Sequence, residues 1–242
     1  MSYPTILGVN IDHIATVRQA RGTLYPDLIE AVREVEKTAA QAITIHLRED
    51  RRHIQDADVP AIQNMTSRRL NFELAATDEM VEIACKVKPH DCCIVPESRE
   101  ELTTEGGLDV IGQYDRIAKA TQVLTQAGIR VSLFIEPDEK HIQRAFDMGA
   151  PVIELHTGAY AMQPDNSTKS NELFEQLVAA TEFADKLGIH VNAGHGLHYT
   201  NTKRVADIPA IQELNIGHAI IARALFVGLR QATQEMLDVI AA

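Results

Sequence analysis

The sequence has few cysteines and no long apolar run. Its three cysteines, Cys85, Cys92 and Cys93, are odd in number, and two of them are adjacent. This is not the pattern of a disulfide framework, so we expect reduced thiols. No stretch approaches the roughly 18 apolar residues of a membrane span, and no charged-then-apolar leader precedes Ile6. These absences predict a cytoplasmic protein with no membrane partner.

Positive charge is also in short supply. The chain has 23 lysines and arginines against 34 aspartates and glutamates, which gives a net charge of −11. Nucleic acids and anionic membranes bind basic surfaces, so neither is an expected partner. A small anionic ligand would have to bind where a few cations and backbone N–H groups are gathered locally.

Length and strand pattern indicate the fold. The chain has 242 residues, close to the roughly 250 of one TIM barrel. Eight β-rich runs recur, at residues 5–12, 42–48, 69–73, 91–96, 129–135, 151–156, 189–194 and 214–218. Helical patterns lie between many of them, at residues 26–40, 113–127, 139–148 and 169–187. This alternation predicts an α/β fold: a single (β/α)8 TIM barrel, one domain over residues 1–242, with an open doubly wound sheet as the alternative.

Polar side chains recur on one face of four predicted strands. Because side chains alternate along a strand, the apolar set faces the helices and the polar set points into the barrel. The inward residues are Asn10, Asp12, Thr44, His46, Arg48, Asn71, Glu73, Glu154 and His156. Buried charge is costly unless it is paired or bound to a ligand. Since barrel active sites lie at the C-terminal strand ends, this convergence favours a site over a structural ion-pair network.

Glycine-containing segments end the last two strands, at residues 192–196 (NAGHG) and 215–218 (NIGH). Glycines let backbone N–H groups approach an anion, and a helix that starts there adds a favourable dipole. Barrels often bind phosphate after strands seven and eight, so we expect a phosphate site here, with plain turns as the alternative. His46 and Arg48 form a second cationic cluster, and the planar fork of arginine suits phosphate oxygens.

Lysine is missing from the strand ends. The lysines occupy positions 37, 86, 88, 119, 140, 169, 186 and 203. A barrel aldolase that forms a Schiff base needs a lysine at a strand end, so that chemistry is disfavoured. Two connections, residues 13–25 and 97–108, are long, and we predict loops that cover the site.

Five segments together resemble the pyridoxine 5'-phosphate synthase family. They are residues 10–16 (NIDHIAT), 46–54 (HLREDRRHI), 103–109 (TTEGGLD), 191–197 (VNAGHGL) and 215–219 (NIGHA). The likeness runs in order over nearly the whole chain and is far more specific than a short glycine motif. It implies a barrel with extra helices. It also implies condensation of 1-deoxy-D-xylulose 5-phosphate with 3-amino-2-oxopropyl phosphate, giving pyridoxine 5'-phosphate, phosphate and water.

The resemblance also implies roles for individual residues. His46 and Glu73 match general bases, His195 matches a general acid, and Glu154 matches a residue that stabilises charge. The matched contacts to the deoxyxylulose phosphate are Asp12, His13, Arg48, His53 and Thr103. The matched contacts to the amino-ketone phosphate are Asn10, Arg21, Gly196, Gly217 and His218. No cofactor and no metal are implied, and the expected partners are small phosphorylated substrates and further copies of the chain, with an octamer as one expected size.

Three other functions stay open on the residues alone. A metal-dependent hydrolase or lyase barrel would use His46, Glu73, His156 and His195, and a chelator would stop it. A non-catalytic phosphate-metabolite binding protein would saturate with ligand without releasing phosphate. A sugar-phosphate isomerase would turn over one substrate without the amine.

Overall fold

The centre of the computed structural model, which describes residues 5–97 and 106–242, is a closed barrel of eight parallel strands in chain order. The strands are β1 Ile6–Asn10, β2 Ala42–His46, β3 Arg69–Leu74, β4 Asp91–Ile94, β5 Arg130–Ile135, β6 Val152–His156, β7 His190–Gly194 and β8 Ile211–Ile216. The barrel closes because β8 pairs in parallel with β1, with Gly8 opposite Asn215. The TIM-barrel prediction is therefore confirmed, and the open sheet was the wrong alternative.

Helices surround this barrel, and three of them exceed the basic pattern of one helix after each strand. The helices in the described ranges are α1 Asp12–Arg21, α2 Leu28–Glu36, α3 Asp58–Met65, α4 Asp78–Val87, α5 Tyr114–Gln126, α6 Glu139–Asp147, α7 Gly158–Ala161, α8 Thr168–Lys186, α9 Thr202–Ala206, α10 His218–Val227 and α11 Leu229–Ala241. The extra helices are α1, α7 and α10, each inserted at a C-terminal strand end. Over the described residues, we find no helix long and apolar enough to cross a membrane.

The alternation of side chains along the strands positions both the core and the site. Outward residues such as Val9, Ile45 and Phe72 are fully buried in the core cluster beneath the helices. Burial of a large apolar side chain contributes about 1.5–3 kcal/mol, so this shell fixes the strand register. Gly128 and Gly188, with φ of +85° and +77°, follow α5 and α8 and end these helices as the sequence predicts.

An ion-pair network closes the N-terminal end of the barrel. The Arg69 guanidinium lies 2.9 Å from the Asp91 carboxylate and 2.5 Å from that of Glu213. Arg130 donates to the other oxygen of Asp91. Each of these buried carboxylates has a cationic partner, as low-dielectric surroundings require. The structural network that the sequence left as an alternative therefore exists, but at the end opposite the strand termini that carry His46 and Glu154.

Three sequence predictions need correction or fall outside the structure. Residues 13–25 are not a long loop, because β1 stops at Asn10 and α1 follows at once, with Asp12 in its first turn stabilising the positive end of the helix dipole. Strand β8 begins at Ile211 rather than at 214, and residue 218 already starts α10. In the second predicted loop, residues 98–105 lie outside the described residues.

Candidate active site

A hydrogen-bonded ladder crosses the barrel interior and fixes Glu154. The Thr44 hydroxyl donates to Asn215 Oδ1 over 2.9 Å, and Asn215 Nδ2 donates to Glu154 Oε2 over 2.7 Å. Burial raises the pKa of the Glu154 carboxyl; the Asn215 hydrogen bond opposes this rise, and the negative charge of Glu213 adds to it. The interior therefore holds a carboxyl with an unusually strong affinity for a proton.

His46, at the end of β2, is held from two sides. Its backbone N–H donates to Asp12 Oδ1 over 2.9 Å, and its Nε2 lies 2.6 Å from Glu97 Oε1. Burial would raise the pKa of Glu97, but the hydrogen bond and the charge of His46 lower it, helped by the N–H of Glu49. Because Glu97 is an ionised acceptor, we assign the ring proton to Nε2. The Nδ1 lone pair then faces Glu73, whose carboxylate is 3.9 Å away.

Glu73 lies beside His46, since the two residues are register partners on β2 and β3. Its side chain is only 16% exposed. Burial, and then the negative charges of Asp12 and Glu154, raise the pKa of Glu73 well above its usual range. A carboxylate in such surroundings is a stronger base than an exposed one, as acid–base catalysis near neutral pH requires.

His195 forms the opposite wall, just beyond β7. Burial, and then the like charge of His156, lower the pKa of His195 to about 4. The two rings lie 5.2 Å apart, and the Phe134 ring is 6.2 Å from that of His195. In the absence of a further charge, His195 is therefore neutral at pH 7 and carries one N–H.

At two glycines next to His195, the backbone closely approaches other side chains; these glycines lie at the C-terminal end of the barrel, which we call the mouth. A Cβ on Gly194 would lie 2.4 Å from Glu154 Oε1, and one on Gly217 would lie 3.0 Å from the Asn10 side chain. Gly196 has a φ of +77°, a left-handed conformation that favours glycine. Glycine is thus required at these turns for steric reasons as well as for ligand access.

The remaining predicted contacts line the rim on the β1, β2 and β8 sides. His13 and His218, at the starts of α1 and α10, have rings 5.0 Å apart, and burial followed by the charge of His218 lowers the pKa of His13. Burial also lowers the pKa of His53, whose ring is 6.2 Å from that of His46. Arg48 is buried and lies 4.0 Å from Asp50.

The structure brings most of the predicted site residues to this one mouth. They are Asn10, Asp12, His13, His46, Arg48, His53, Glu73, Glu154, His195, Gly196, Gly217 and His218. Arg21 is not brought in, because α1 carries it to an exposed helix end about 13.5 Å along the helix from Asp12. Thr103 lies outside the described residues.

Sequence reasoning missed two carboxylates, Glu97 and Glu136. Each follows a strand closely, and each accepts from an active-site histidine, Glu97 from His46 and Glu136 from His156. In a barrel, residues just after the C-terminal end of a strand lie at the mouth, and applying this rule to the sequence would have identified both glutamates. Glu97 was assigned only to a long connection, and the polar residue after β5 was not considered.

Asp12, His46 and Glu73 offer three ligand atoms within 4.8 Å of one another. The Asp12 carboxylate, however, already accepts from the His46 backbone N–H and from Asn10 Nδ2 over 2.9 Å each. Burial and the neighbouring negative charges raise the pKa of Glu73, so its surroundings already disfavour a further negative charge. The cluster of Asp12, His46 and Glu73 therefore suits proton transfer better than it suits the binding of a metal ion.

The fold and this mouth define the class of protein: a (β/α)8-barrel enzyme with buried carboxyls and histidines gathered towards the C-terminal strand ends, where barrel active sites lie. Comparison with known proteins then gives the family. Residues 7–242 match the model of the family described as "Pyridoxal phosphate biosynthesis protein PdxJ". The chain belongs to this family.

Curated relatives carry a more specific name. A protein of Neisseria meningitidis serogroup C, named pyridoxine 5'-phosphate synthase, is 58% identical over 96% of this chain and 96% of its own. Proteins of the same name from Thioalkalivibrio sulfidiphilus and Colwellia psychrerythraea are each 57% identical over at least 93% of both chains. The chain is therefore a biosynthetic enzyme, and the family resemblance of its sequence is confirmed.

Solved structures of other enzymes share only the fold. The KGPDC of Streptococcus mutans is 11% identical and superposes with a TM-score of 0.67 over 99% of this chain and 98% of that one. An orotidine 5'-monophosphate decarboxylase from Methanocaldococcus jannaschii is 12% identical, with a TM-score of 0.65 over 99% of this chain and 100% of that one. Identity this low supports the barrel architecture and no more.

Proposed function

We propose that this enzyme is a pyridoxine 5'-phosphate synthase. It condenses 1-deoxy-D-xylulose 5-phosphate with 3-amino-2-oxopropyl phosphate, giving pyridoxine 5'-phosphate, phosphate and water. The observation that carries the proposal is the close approach of two bases: the Nδ1 atom of His46 lies 3.9 Å from the carboxylate of Glu73, whose pKa is raised. The amine of one substrate forms the imine with the ketone of the other, so the lack of a strand-end lysine is no obstacle.

The roles follow from the environments. His46, oriented by Glu97, and Glu73 remove protons from substrate carbon and nitrogen as general bases. Each well-placed base contributes about 10²–10⁴-fold to the rate. Burial raises the pKa of Glu154, but positive charge that develops on the imine nitrogen favours its ionised form. The carboxylate, held by Asn215, then stabilises that charge.

His195 serves as the general acid once a phosphate is bound. Its pKa of about 4 in the empty site leaves it neutral at pH 7. A phosphate dianion beside the exposed Gly196 adds negative charge next to the ring and favours the imidazolium. With the anion bound, His195 takes up a proton from solvent, and it then gives that proton to the departing oxygen.

Two anion sites accommodate the two phosphates in an acidic protein. Asp12, His13, Arg48, His53 and Thr103 are assigned to the deoxyxylulose phosphate. The residues assigned to the amino-ketone phosphate are Asn10, Gly196, Gly217 and His218. Arg21 is a further assigned contact. It would have to reach the site from a neighbouring copy of the chain, or after α1 changes its position. Backbone N–H groups at the start of α10 supplement these few cations.

One assay tests the function. Purified protein is mixed with both substrates, and the absorbance of the pyridinol product and the release of phosphate are followed together. Both signals are expected, and both should vanish when either substrate is left out. Saturable binding without phosphate release would favour the binding protein, and turnover of one substrate alone would favour the isomerase.

Removal of metal ions should leave the activity unchanged. Both Asp12 oxygens already accept hydrogen bonds, and the roles proposed for His46 and Glu73 are proton transfers, so no proposed step needs a cation in this cluster. Dialysis against a strong chelator, with the metal content measured before and after, checks this. Loss of turnover that is restored by one divalent metal would instead support the metal-dependent hydrolase or lyase.

We also propose that the enzyme is a homo-oligomer that buries an apolar surface formed by α1, the segment after it and α10. This surface comprises Val17, Leu24, Tyr25, Leu225 and Phe226, whose exposed fractions range from 52% to 94%. Helices α1 and α10 pack against each other, so these exposed side chains lie on neighbouring elements. A monomer rarely exposes a contiguous apolar patch of this kind, whereas a second copy would cover it.

The double variant Leu225→Glu, Phe226→Glu should weaken this assembly. Two carboxylates buried in an apolar interface are costly, so we expect the dissociation constant to rise at least about tenfold in analytical ultracentrifugation. Met162→Glu, which changes an equally exposed apolar residue elsewhere, is the control and should leave the assembly intact. An unchanged assembly in the double variant would contradict the assigned surface.

The remaining expectations concern location and domain structure. We propose a cytoplasmic enzyme, supported by three free cysteines of which Cys92 and Cys93 are buried thiols. We further propose that residues 1–242 unfold as a single domain, since α11 packs on α2 and α10 and joins the two chain ends. Cell fractionation tests the location. Calorimetry tests the domain structure and should show a single unfolding transition.

A further inference from the structure

The end of β6 carries a carboxylate–histidine pair that none of the proposed roles uses. His156 Nδ1 lies 2.9 Å from Glu136 Oε1, and the same oxygen accepts from the Gly107 N–H over 2.7 Å. The hydrogen bond from His156 is the main cause that holds the pKa of Glu136 below its usual range. Glu136 is thus an ionised acceptor that fixes a proton on Nδ1 of His156.

The other ring nitrogen of His156 is buried and, among the described residues, has no hydrogen-bond partner. The His156 ring contacts Phe134 at 5.1 Å between centroids and His195 at 5.2 Å. A Cβ on Gly158 would lie 2.5 Å from His156 Nε2 and 3.0 Å from His195 Cδ2. The two imidazoles therefore pack closely against the backbone of Gly158, in space that a side chain at this position would need.

The next residue, Thr157, holds the backbone of His195. Its hydroxyl lies 2.6 Å from the carbonyl oxygens of both Gly194 and His195, and its N–H donates to Gly194 over 2.9 Å. His195 needs such support because its φ is +79°, a left-handed conformation that is strained for a residue other than glycine. His156, the last residue of β6, and Thr157, the residue after it, thus restrain the ring and the backbone of His195.

We propose that the Glu136–His156 pair is a positioning unit for His195, a role that rests on the proposed function of His195 as the general acid. Glu136 fixes the His156 ring, the His156 ring and Phe134 fix the His195 ring, and Thr157 fixes its backbone. His156 also limits when His195 takes up a proton, since a like charge beside it opposes protonation. His195 then becomes acidic only after an anionic substrate has entered.

The pair is tested by His156→Gln, which keeps a polar side chain but removes the ring and its charge. Two readouts are needed: steady-state kinetics, and an NMR titration of histidine-labelled protein in which the His195 signal is assigned by its loss in His195→Gln. The matched control is His190→Gln, at the opposite end of β7, where an exposed histidine lies 2.8 Å from the Gln212 side chain. Glu136→Gln is the second variant, of unchanged size, should the first fold poorly.

In His156→Gln we expect the pKa of His195 to rise, because the neighbouring charge is gone. We expect kcat to fall about 10- to 100-fold, as for a misplaced acid, with KM changed less than about twofold. In Glu136→Gln the His195 titration should also change, because the ionised carboxylate that fixes the neighbouring His156 ring is gone. His190→Gln should match the unsubstituted protein in both readouts.

An unchanged His195 titration in both variants overturns the inference, whatever the kinetics. Full activity of His195→Gln would remove His195 from the proposed mechanism instead. In that case the titration still decides whether the pair positions the ring. Failure of the proposed role of His195 as the general acid and failure of the positioning role of the pair are therefore distinguishable.

Discussion

Glu73→Gln is expected to abolish product formation and to make the protein more stable. The glutamine side chain keeps the shape of Glu73 but cannot accept a proton, so kcat should fall by about 10²–10⁴-fold. Stability should rise because burial and the charges of Asp12 and Glu154 disfavour the ionised form of Glu73 in the folded state. A gain of about 0.5–2 kcal/mol is typical when an active-site penalty of this kind is relieved.

The pH dependence of this gain has a definite sign. The folded-state pKa of Glu73 is raised above the unfolded value, so the folded protein holds this proton more tightly than the unfolded chain. Its contribution to stability is fully present below the unfolded pKa and is lost as the pH rises through the folded pKa. The difference in Tm between Glu73→Gln and the unsubstituted protein should therefore widen from pH 5 to pH 9.

Thermal unfolding at several pH values, together with the turnover assay, measures both effects. Glu175→Gln, which changes an exposed glutamate on α8, is the control and should alter neither. A Tm difference that stays constant with pH would show that Glu73 does not hold a raised pKa in the folded enzyme. Retained turnover would remove Glu73 from the mechanism.

Gly194→Ala is expected to lower kcat/KM by about 10²-fold, because a displacement of about 1 Å at a reacting centre has an effect of this size. The new Cβ would lie 2.4 Å from Glu154 Oε1 and 2.9 Å from the backbone oxygen of Asn215. Relief of these contacts requires the Glu154 carboxylate or the end of β8 to move. We also expect a loss of stability of about 1–3 kcal/mol, as for other overpacked interiors.

Gly188→Ala is the control that separates the loss of stability from the loss of activity expected for Gly194→Ala. Gly188 has a φ of +77° and no neighbour within 4 Å of an added Cβ, so alanine there is strained but meets nothing. We expect a stability loss of about 1 kcal/mol without any loss of turnover. If Gly194→Ala lowers stability by a similar amount but retains full kcat/KM, the close approach of Gly194 to Glu154 is not needed for catalysis.

Much of the architecture could be read from local sequence patterns. The positions of all eight strands, and the helix stops at Gly128 and Gly188, follow from periodicity and backbone preference, which involve residues close together in the chain. The segment after β1 was misjudged because α1 is an inserted helix with only Asp12 and Ala15 buried. With so little apolar periodicity, a loop and an exposed helix look alike.

The sequence by itself determined the alternation of strands and helices, the inward direction of the polar strand residues and the family, since these depend on local patterns and on long matching segments. Only the tertiary structure decided that Glu97 orients His46 and that Glu136 orients His156. It also decided that Glu73 favours its proton while His195 resists one. Proton affinity depends on burial and on charges a few ångströms away, and those neighbours come from strands that are distant in the chain.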